Sequence, residues 1–377
     1  MNPRLRIAVL SRRFTAAGGG AEGYSVRLVE QFAARHEVHV FAQEIAHSWP
    51  GVTYHPVSMP LKRPRWINQL WYALATWRAT REGFDVVHSH ENTWHGQVQT
   101  IHVKPVRYNL LANLQGGRRA LRWLKIATSP RLAAYLWLEG ARFGSGKQVV
   151  VTSSNLQAES LEVYPHAADA MSVITPGVTL PAEGPAKEDA RRALDLSQEG
   201  PLLLFVANNY ARKGLGTLLA ALAQVSDHVH LAVVGDPAGV ASFTQRAAAL
   251  GIGSRVHFLG SLADMRPAYR AADALVHPTF EDTFAMVVLE AMAHGLPVIV
   301  SGPAFCGIST LLREGEDALL LANPRDPQEL VAALHRLLRD DALAQRLRSN
   351  AAAFAQAHSW EAAAAAYERL YLLRPPA

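Results

Sequence analysis

Two short apolar runs set the frame for this chain. LRIAVL at 5–10 leads into a loop rich in glycine, and PLLLFVA at 201–207 leads into Asn208-Asn209-Tyr210-Ala211-Arg212-Lys213-Gly214. In both places a helical stretch follows, YSVRLVEQFAARH in the first half and LGTLLAALAQV in the second. The rhythm then continues. VHVF (38–41), 52–57, FDVVHSH (84–90), VQTIHV, QVVVTSS (148–154) and MSVITPGVTL (171–180) read as strands of the first half. HLAVVGD (230–236), RVHFLG (255–260), 274–277, PVIVS (297–301) and ALLLA (318–322) read as strands of the second. Strands that alternate with helices predict open parallel sheets, whose ligands sit at the C-terminal strand ends.

Between the halves lies PAEGPAKEDARRALDLSQEGP, rich in Pro, Gly and charge, which is the best linker in the sequence. The boundary is therefore expected near residue 180. A first domain would span 1–180 and a second 181–358, with the last helical stretch (359–377) long enough to reach back to the first. A length of 377 residues suits two domains better than one core. With 49% hydrophobic and 18% charged residues the chain is globular and not disordered. The single cysteine, Cys306, excludes a disulfide framework and a cysteine-based zinc site. No signal peptide and no membrane-spanning run of apolar residues is expected.

One stretch of the second half is unusual. HPTFEDTFAMVVLEAMAHGLP (277–297) opens with the adjacent acids Glu281 and Asp282. It continues from about Thr283 as an apolar helix ended by Gly295 and Pro297. Glu290 sits inside that apolar helix. A carboxylate there has to face a cavity or a partner, because an unpaired buried charge is very costly. The helix N-terminus supplies N–H groups and a positive dipole end suited to phosphate. Arg212 and Lys213, adjacent at another strand end, form a ready clamp for a diphosphate. The bland alternative is a core helix with a half-exposed glutamate.

The first half offers histidines and charge. His88, His90, His95 and His102 fall close together, but no acids or cysteines with ligand spacing accompany them, so a metal site is disfavoured. Histidines at the ends of parallel strands fit a substrate cleft better, with His102 the best candidate and His90 the next. Residues 107–143 carry seven basic side chains (Arg107, Arg118, Arg119, Arg122, Lys125, Arg131 and Arg142) and one acid, Glu139. That local balance of +6 exceeds the +5 of the whole chain. Trp123, Tyr135, Trp137 and several leucines are interleaved, and residues 62–72 have the same character. Basic charge mixed with Trp, Tyr and Leu on helices points to a surface resting on anionic lipid. A solvated basic helix is the plain alternative. Nucleic acid is a third reading, disfavoured because no nucleic-acid motif accompanies the charge.

In combination, ARKG (211–214), VVGD (233–236), RVHFLG (255–260) and residues 277–301 resemble the retaining glycosyltransferases of family 4, which have the GT-B fold. The resemblance extends over essentially the whole chain, including Gly18–Gly20, DVVHSH and the SWE helix. Within the family the chain looks most like the lipopolysaccharide core glucosyltransferases. The resemblance implies two Rossmann-like doubly wound domains facing a cleft, with the C-terminal helix crossing back to the first domain. The first domain would bind acceptor and the second a nucleotide sugar, with UDP-glucose as the leading donor and other hexosyl donors open. Arg212 and Lys213 would neutralise the diphosphate, with Gly18, Gly19 and Gly20 closing over it. Glu290 would bind the ribose hydroxyls. N–H groups around Phe284, Ala285 and Met286, beside Thr283, would hold sugar or phosphates, and His102 would lie near the sugar.

The family pattern is an acid, seven residues, then Glu. The first acid here is Asp282 in place of the usual Glu, so either Asp282 or Glu281 could meet the sugar. The family's Pro-Asn-Gly turn is Pro176-Gly177 here, without the Asn. No Asp-x-Asp occurs, so no metal is required and no cofactor is expected. The leading expectation is a metal-independent retaining hexosyltransferase, peripheral on the inner, cytoplasmic face of the cytoplasmic membrane. Its acceptor would be a lipid-linked saccharide, with the lipopolysaccharide core as the leading example. A nucleotide-sugar epimerase of the same fold and an inactive membrane-binding family member are the alternatives.

Overall fold

The computed structural model describes residues 3–15, 20–112, 114–182 and 184–372, with backbone alone for 20–22. The chain divides into two compact units, Met1–Pro176 with Trp360–Ala377, and Gly177–Ser359. Each is built on one parallel sheet.

In the first unit the strands of this sheet are β1 (Arg6–Leu10), β2 (Glu37–Ala42), β3 (Val52–Pro56), β4 (Val86–Ser89), β5 (Val98–Ile101), β6 (Gln148–Val151) and β7 (Met171–Val173), and the short segments Arg13–Phe14 and Glu44–Ile45 pair separately. Their spatial order is β3-β2-β1-β4-β5-β6-β7, and every pair is parallel. The order reverses between β1 and β4, so the loops after these two strands flank a crevice where α/β proteins bind ligands. Gly20 opens the helix Gly20–Ala33 that follows β1. Gly18 and Gly19 lie outside the described residues.

The second unit contains β8 (Leu202–Ala207), β9 (His230–Gly235), β10 (Val256–Gly260), β11 (Ala274–His277), β12 (Val298–Ser301) and β13 (Leu319–Leu321). The order is β10-β9-β8-β11-β12-β13, again all parallel, and it reverses between β8 and β11. On β8, Leu203 and Phe205 pack into the layer formed with helices Leu215–Leu222 and Pro327–Arg339. Leu202 and Leu204 pack into the opposite layer with Met286–Ala293 and Asp341–Ala357. Burial on both faces explains why this strand is one continuous apolar run instead of an alternating one.

Helix Trp360–Leu372 belongs to the first unit. Its polar groups are as engaged as its apolar ones. Tyr367 Oη lies 2.9 Å from Tyr24 Oη and 2.8 Å from Thr100 Oγ1. Tyr371 Oη lies 2.7 Å from His88 Nδ1, and Glu368 faces His36 Nε2 at 3.1 Å.

Two local differences from the sequence reading have physical causes. The helix expected from about Thr283 begins at Met286, because Ala285 takes a left-handed conformation (φ 72°) and ends the turn before it. The strand expected to run from residue 171 into Pro176-Gly177 ends at Val173, and the chain beyond Pro176 belongs to the other unit.

Candidate active site

The two switch-point loops of the second unit are stitched together. Phe280 N–H donates to Arg212 O at 2.9 Å. Gly214 also has φ 81°, and a Cβ there would stand 2.0 Å from Pro278 O. Only glycine permits both that conformation and that approach. The Lys213 ammonium consequently reaches across to the other loop. It donates to Glu281 O at 3.0 Å and forms an ion pair with Asp282 Oδ2. Arg212 is exposed at the rim, its N–H held by Asn209 Oδ1 at 3.0 Å.

Asp282 is the hub. Its Oδ1 accepts from Ala285 N at 2.9 Å and Phe284 N at 3.3 Å, and its Oδ2 lies 3.4 Å from His277 Nε2. Burial works against the charged carboxylate. The hydrogen bond from His277 and the Lys213 charge outweigh it and hold the carboxyl well below the usual carboxylate range. Two of the N–H groups expected to face a sugar or phosphate, those of Phe284 and Ala285, are thus occupied by Asp282 itself. The short arm of aspartate makes this possible, since Asp bonds readily to N–H groups two and three residues on. At the start of Met286–Ala293 the Val288 N–H donates back to Ala285 O at 3.0 Å. Thr283 and Glu281 flank the hub, both partly exposed.

The left-handed Ala285 stores strain at this point, as functional turns often do. Ala285→Gly should relieve it and raise stability by about 0.5–1 kcal/mol. A thermal melt checks this; a lowered midpoint would contradict the strain argument.

Glu290 lies on the same helix. Its Oε2 accepts from Tyr269 Oη at 2.7 Å, and Tyr269 stacks on His294 with ring centroids 5.0 Å apart. Burial, then the neighbouring Glu290 charge, holds the Tyr269 hydroxyl protonated. Burial lowers His294 to about 4, so the ring is neutral near pH 7. Sequence reasoning missed Tyr269 because nothing in helix Arg266–Ala271 marks it as a partner of a residue 21 positions on.

In the first unit His90 and His102 follow the neighbouring strands β4 and β5 and meet directly, His90 Nδ1 to His102 Nε2 at 3.0 Å. Tyr24 packs its edge on His102, centroids 4.8 Å apart. His88 is engaged on both sides, by Tyr371 and by Thr100 Oγ1 at 2.7 Å. Burial, then the charge of Arg142, pushes His102 down to about 3. Burial, then His102, does the same to His88. These rings are neutral under ordinary conditions. His95 stands apart from that pair, beside Trp94. Among the described residues no group of three or more His, Cys, Asp or Glu side chains could hold a metal ion.

The basic segment forms three helices, Val106–Leu111, Gly116–Ala127 and Pro130–Arg142. Two of its charges are internal. Arg142 is buried and donates to Gln99 Oε1, Asn92 Oδ1 and Thr100 O. Glu139 is buried and caps the first of these helices by accepting from Val106 and Arg107 N–H. Helix Gly116–Ala127 carries the exposed charge. Its buried residue, Ile126, lies between Arg119 and Arg122 on the basic side. Its apolar side faces away, with Leu121 68%, Leu124 62% and Trp123 41% exposed. A helix packing on a globular core shows the opposite arrangement. Trp71 and Trp77 on helix Arg65–Thr80 are also exposed. Among the described residues no helix is long and apolar enough to cross a membrane.

Comparison with known proteins fits this geometry. Residues 18–180 match the family described as Glycosyltransferase Family 4, and residues 200–340 match Glycosyl transferases group 1. A D-inositol 3-phosphate glycosyltransferase of Frankia alni is 30% identical over 400 residues, covering 95% of this chain and 95% of that protein. One from Streptomyces bingchenggensis is 29% identical over 322 residues, covering 79% of this chain and 69% of that protein. Among solved structures, WaaG, a glycosyltransferase involved in lipopolysaccharide biosynthesis, matches with a TM-score of 0.79 at 21% identity, covering 97% of this chain and 99% of that one. At that identity the likeness is one of fold. Sucrose-phosphate synthase from Thermosynechococcus elongatus matches with a TM-score of 0.76 at 27% identity, covering 98% and 99%. The sequence relatives, the two matched families and the pair of parallel-sheet units agree: this chain belongs to the family 4 glycosyltransferases and has the GT-B fold.

Proposed function

We propose that this glycosyltransferase moves glucose, with retention and without a metal, from UDP-glucose to a lipid-linked saccharide at an anionic membrane surface. The observation that carries the donor half is the set Arg212, Lys213, Asp282 and Glu290 at one switch point. Departure of the diphosphate develops negative charge on its oxygens and positive charge on the sugar ring. Arg212, Lys213 and the N-terminus of Met286–Ala293 stabilise the leaving group electrostatically. In this reading Asp282, held ionised beside Lys213, meets the sugar, and Glu290 accepts from the ribose hydroxyls. In the step itself the C1–O bond to the β-phosphate breaks. The acceptor oxygen bonds to C1 on the same face, and the departing phosphate oxygen takes the acceptor's proton. No carboxylate nucleophile is needed.

The acceptor half rests on helix Gly116–Ala127, whose outward Leu121, Trp123 and Leu124 are flanked by Arg118, Arg119, Arg122 and Lys125. An amphipathic helix of this composition lies in a lipid interface. It favours a lipid-linked acceptor such as the lipopolysaccharide core, and a peripheral place on the inner face of the cytoplasmic membrane. It disfavours an epimerase of small soluble molecules, which gains nothing from lipid docking. Replacing Arg118, Arg119 and Arg122 with alanine should weaken binding to phosphatidylglycerol vesicles at least about tenfold, and less so at high salt. Equal binding of the native protein to phosphatidylglycerol and phosphatidylcholine vesicles would contradict the membrane reading.

A second acceptor reading is a phosphorylated cyclitol, favoured by the relative matched over 95% of this chain, which is named for D-inositol 3-phosphate. Offering UDP-glucose with either D-inositol 3-phosphate or a lipid-linked core saccharide separates the two. Product with the first alone would replace the lipid-linked reading.

A further inference from the structure

The strand β11 ends on a residue that its own pattern does not explain. Ala274 and Val276 enter one apolar layer of the second unit, and Leu275 enters the other. His277 falls on the side of Leu275, where the alternation calls for another aliphatic side chain. Its pairing with Val300 on β12 fixes the register, and its ring is buried. A buried imidazole is costly unless its polar atoms find partners.

One of its nitrogens has a partner and the other has none. Nε2 lies 3.4 Å from Asp282 Oδ2, whereas Nδ1 is buried with no hydrogen-bond partner among the described residues. An ionised carboxylate only accepts, so the proton is on Nε2 and the bare lone pair on Nδ1. Charging the ring would bury an orphaned N–H at Nδ1, the costlier state. Burial holds the imidazole below its ordinary value, against the pull of Asp282. His277 is thus a neutral donor with a single acceptor.

That acceptor is shared. Asp282 Oδ2 also pairs with the Lys213 ammonium, which donates as well to Glu281 O at 3.0 Å. An ammonium has three N–H groups. Adjacent residues of one turn take two of them, and the third has no acceptor among the described residues. The Lys213 side chain keeps 13% exposure, so a ligand can reach it. Where the carboxylate stands decides where the ammonium sits, and hence where its third N–H points.

We propose that His277 is a positioning residue that acts through Asp282: its Nε2–H fixes the carboxylate that holds Lys213, and so aims the remaining Lys213 N–H at the departing diphosphate. This rests on the reading of Lys213 as the cation of the leaving group, and all three residues belong to the second unit. The titratable groups that face the Asp282 carboxyl are His277 from β11, Lys213 from the loop after β8 and Cys306 from the loop after β12. Burial, then the Asp282 charge, pushes the Cys306 thiol up to about 12, so it stays protonated. His277 and Lys213 therefore set how the carboxyl titrates.

The test uses the full chain. With 15N-histidine labelling, long-range 1H–15N spectra should show His277 with a protonated Nε2 and an unprotonated Nδ1. Steady-state UDP release from UDP-glucose is then followed across pH. Removing the donor raises the Asp282 pKa, so the acid limb should move to higher pH in His277→Phe. Turnover on the plateau should fall about three- to tenfold, the worth of one hydrogen bond. His277→Gln carries an amide N–H to the place of Nε2 and should return both towards the native values. His277→Asn is too short to reach and should behave as His277→Phe, which covers a phenylalanine variant that melts early. An Nδ1–H tautomer in the native protein, or an acid limb and plateau unmoved in the Phe and Asn variants, would overturn the proposal. Equal losses in the Gln and Asn variants would also overturn it, since packing alone would then account for His277. No loss of turnover in Lys213→Ala would overturn the donor-site reading itself, a failure that the tautomer spectrum does not share.

Discussion

Replacing Lys213 with alanine is expected to lower turnover by about a hundred- to a thousandfold, the scale of losing one preorganised charge at a developing anion. The effect has two parts. In the proposed mechanism Lys213 is the cation beside the departing diphosphate, and in the structure it pairs with Asp282 in its folded-back position. Without it, Asp282 stays partly buried with only its backbone donors and the longer contact to His277. That should cost about 2 kcal/mol of stability in the second unit. A pH dependence follows from the depressed Asp282 pKa. A carboxyl lowered on folding stabilises the fold above its unfolded value, and that stability is lost as pH falls through its folded value. In Lys213→Ala the folded value rises, so acid unfolding should start at a higher pH than in the native protein. Lys213→Arg keeps the charge but not the geometry of a slim ammonium, so it should recover part of the stability and less of the turnover. Steady-state UDP release and urea melts across pH check both parts. Unchanged turnover in Lys213→Ala would remove Lys213 from the leaving-group site.

The second large effect is at Glu290. Glu290→Ala should weaken UDP binding about ten- to a hundredfold, the worth of hydrogen bonds from ribose hydroxyls to a charged acceptor. The substitution also leaves the buried Tyr269 hydroxyl without this acceptor. A loss of stability of about 1–3 kcal/mol should accompany it. Glu290→Gln separates the two consequences. Its amide oxygen can still accept from Tyr269, so it should melt near the native temperature while binding UDP more weakly for want of the charge. Calorimetry with UDP is the measurement. If Glu290→Ala binds UDP as the native protein does, the ribose assignment is wrong.

Much of this architecture was legible because the strands are buried on both faces. LLLFV at 202–206 is apolar throughout since alternate residues enter different layers, and such runs stand out from the helices between them. Glu290, Arg212 and Lys213 were legible for a related reason: a charge beside an apolar element has to be explained by what it faces. Pairings across the fold were not legible. Lys213 and Asp282 lie 69 positions apart and belong to different loops that meet only because the strand order reverses between β8 and β11. A lysine read from its own loop points to phosphate alone. Its second partner, and the capture of the Phe284 and Ala285 N–H groups by Asp282, depend on a turn with a left-handed alanine that no hydrophobic period encodes. Charge counting misjudged the basic segment in the same way. It tallied Arg142 and Glu139 with the surface, although both point inward. What survives of the segment, helix Gly116–Ala127, is more telling than its net charge, because its apolar side faces outward.

The most direct test of the central claim is to incubate the protein with a panel of UDP-sugars in the absence of acceptor, measure UDP release, and determine the anomer of the freed sugar by NMR. The account predicts slow hydrolysis of UDP-glucose in preference to the others, glucose released first as the α-anomer, and loss of the signal in both Lys213→Ala and Glu290→Ala. Absence of both binding and hydrolysis for every donor, or release of β-glucose, would contradict it.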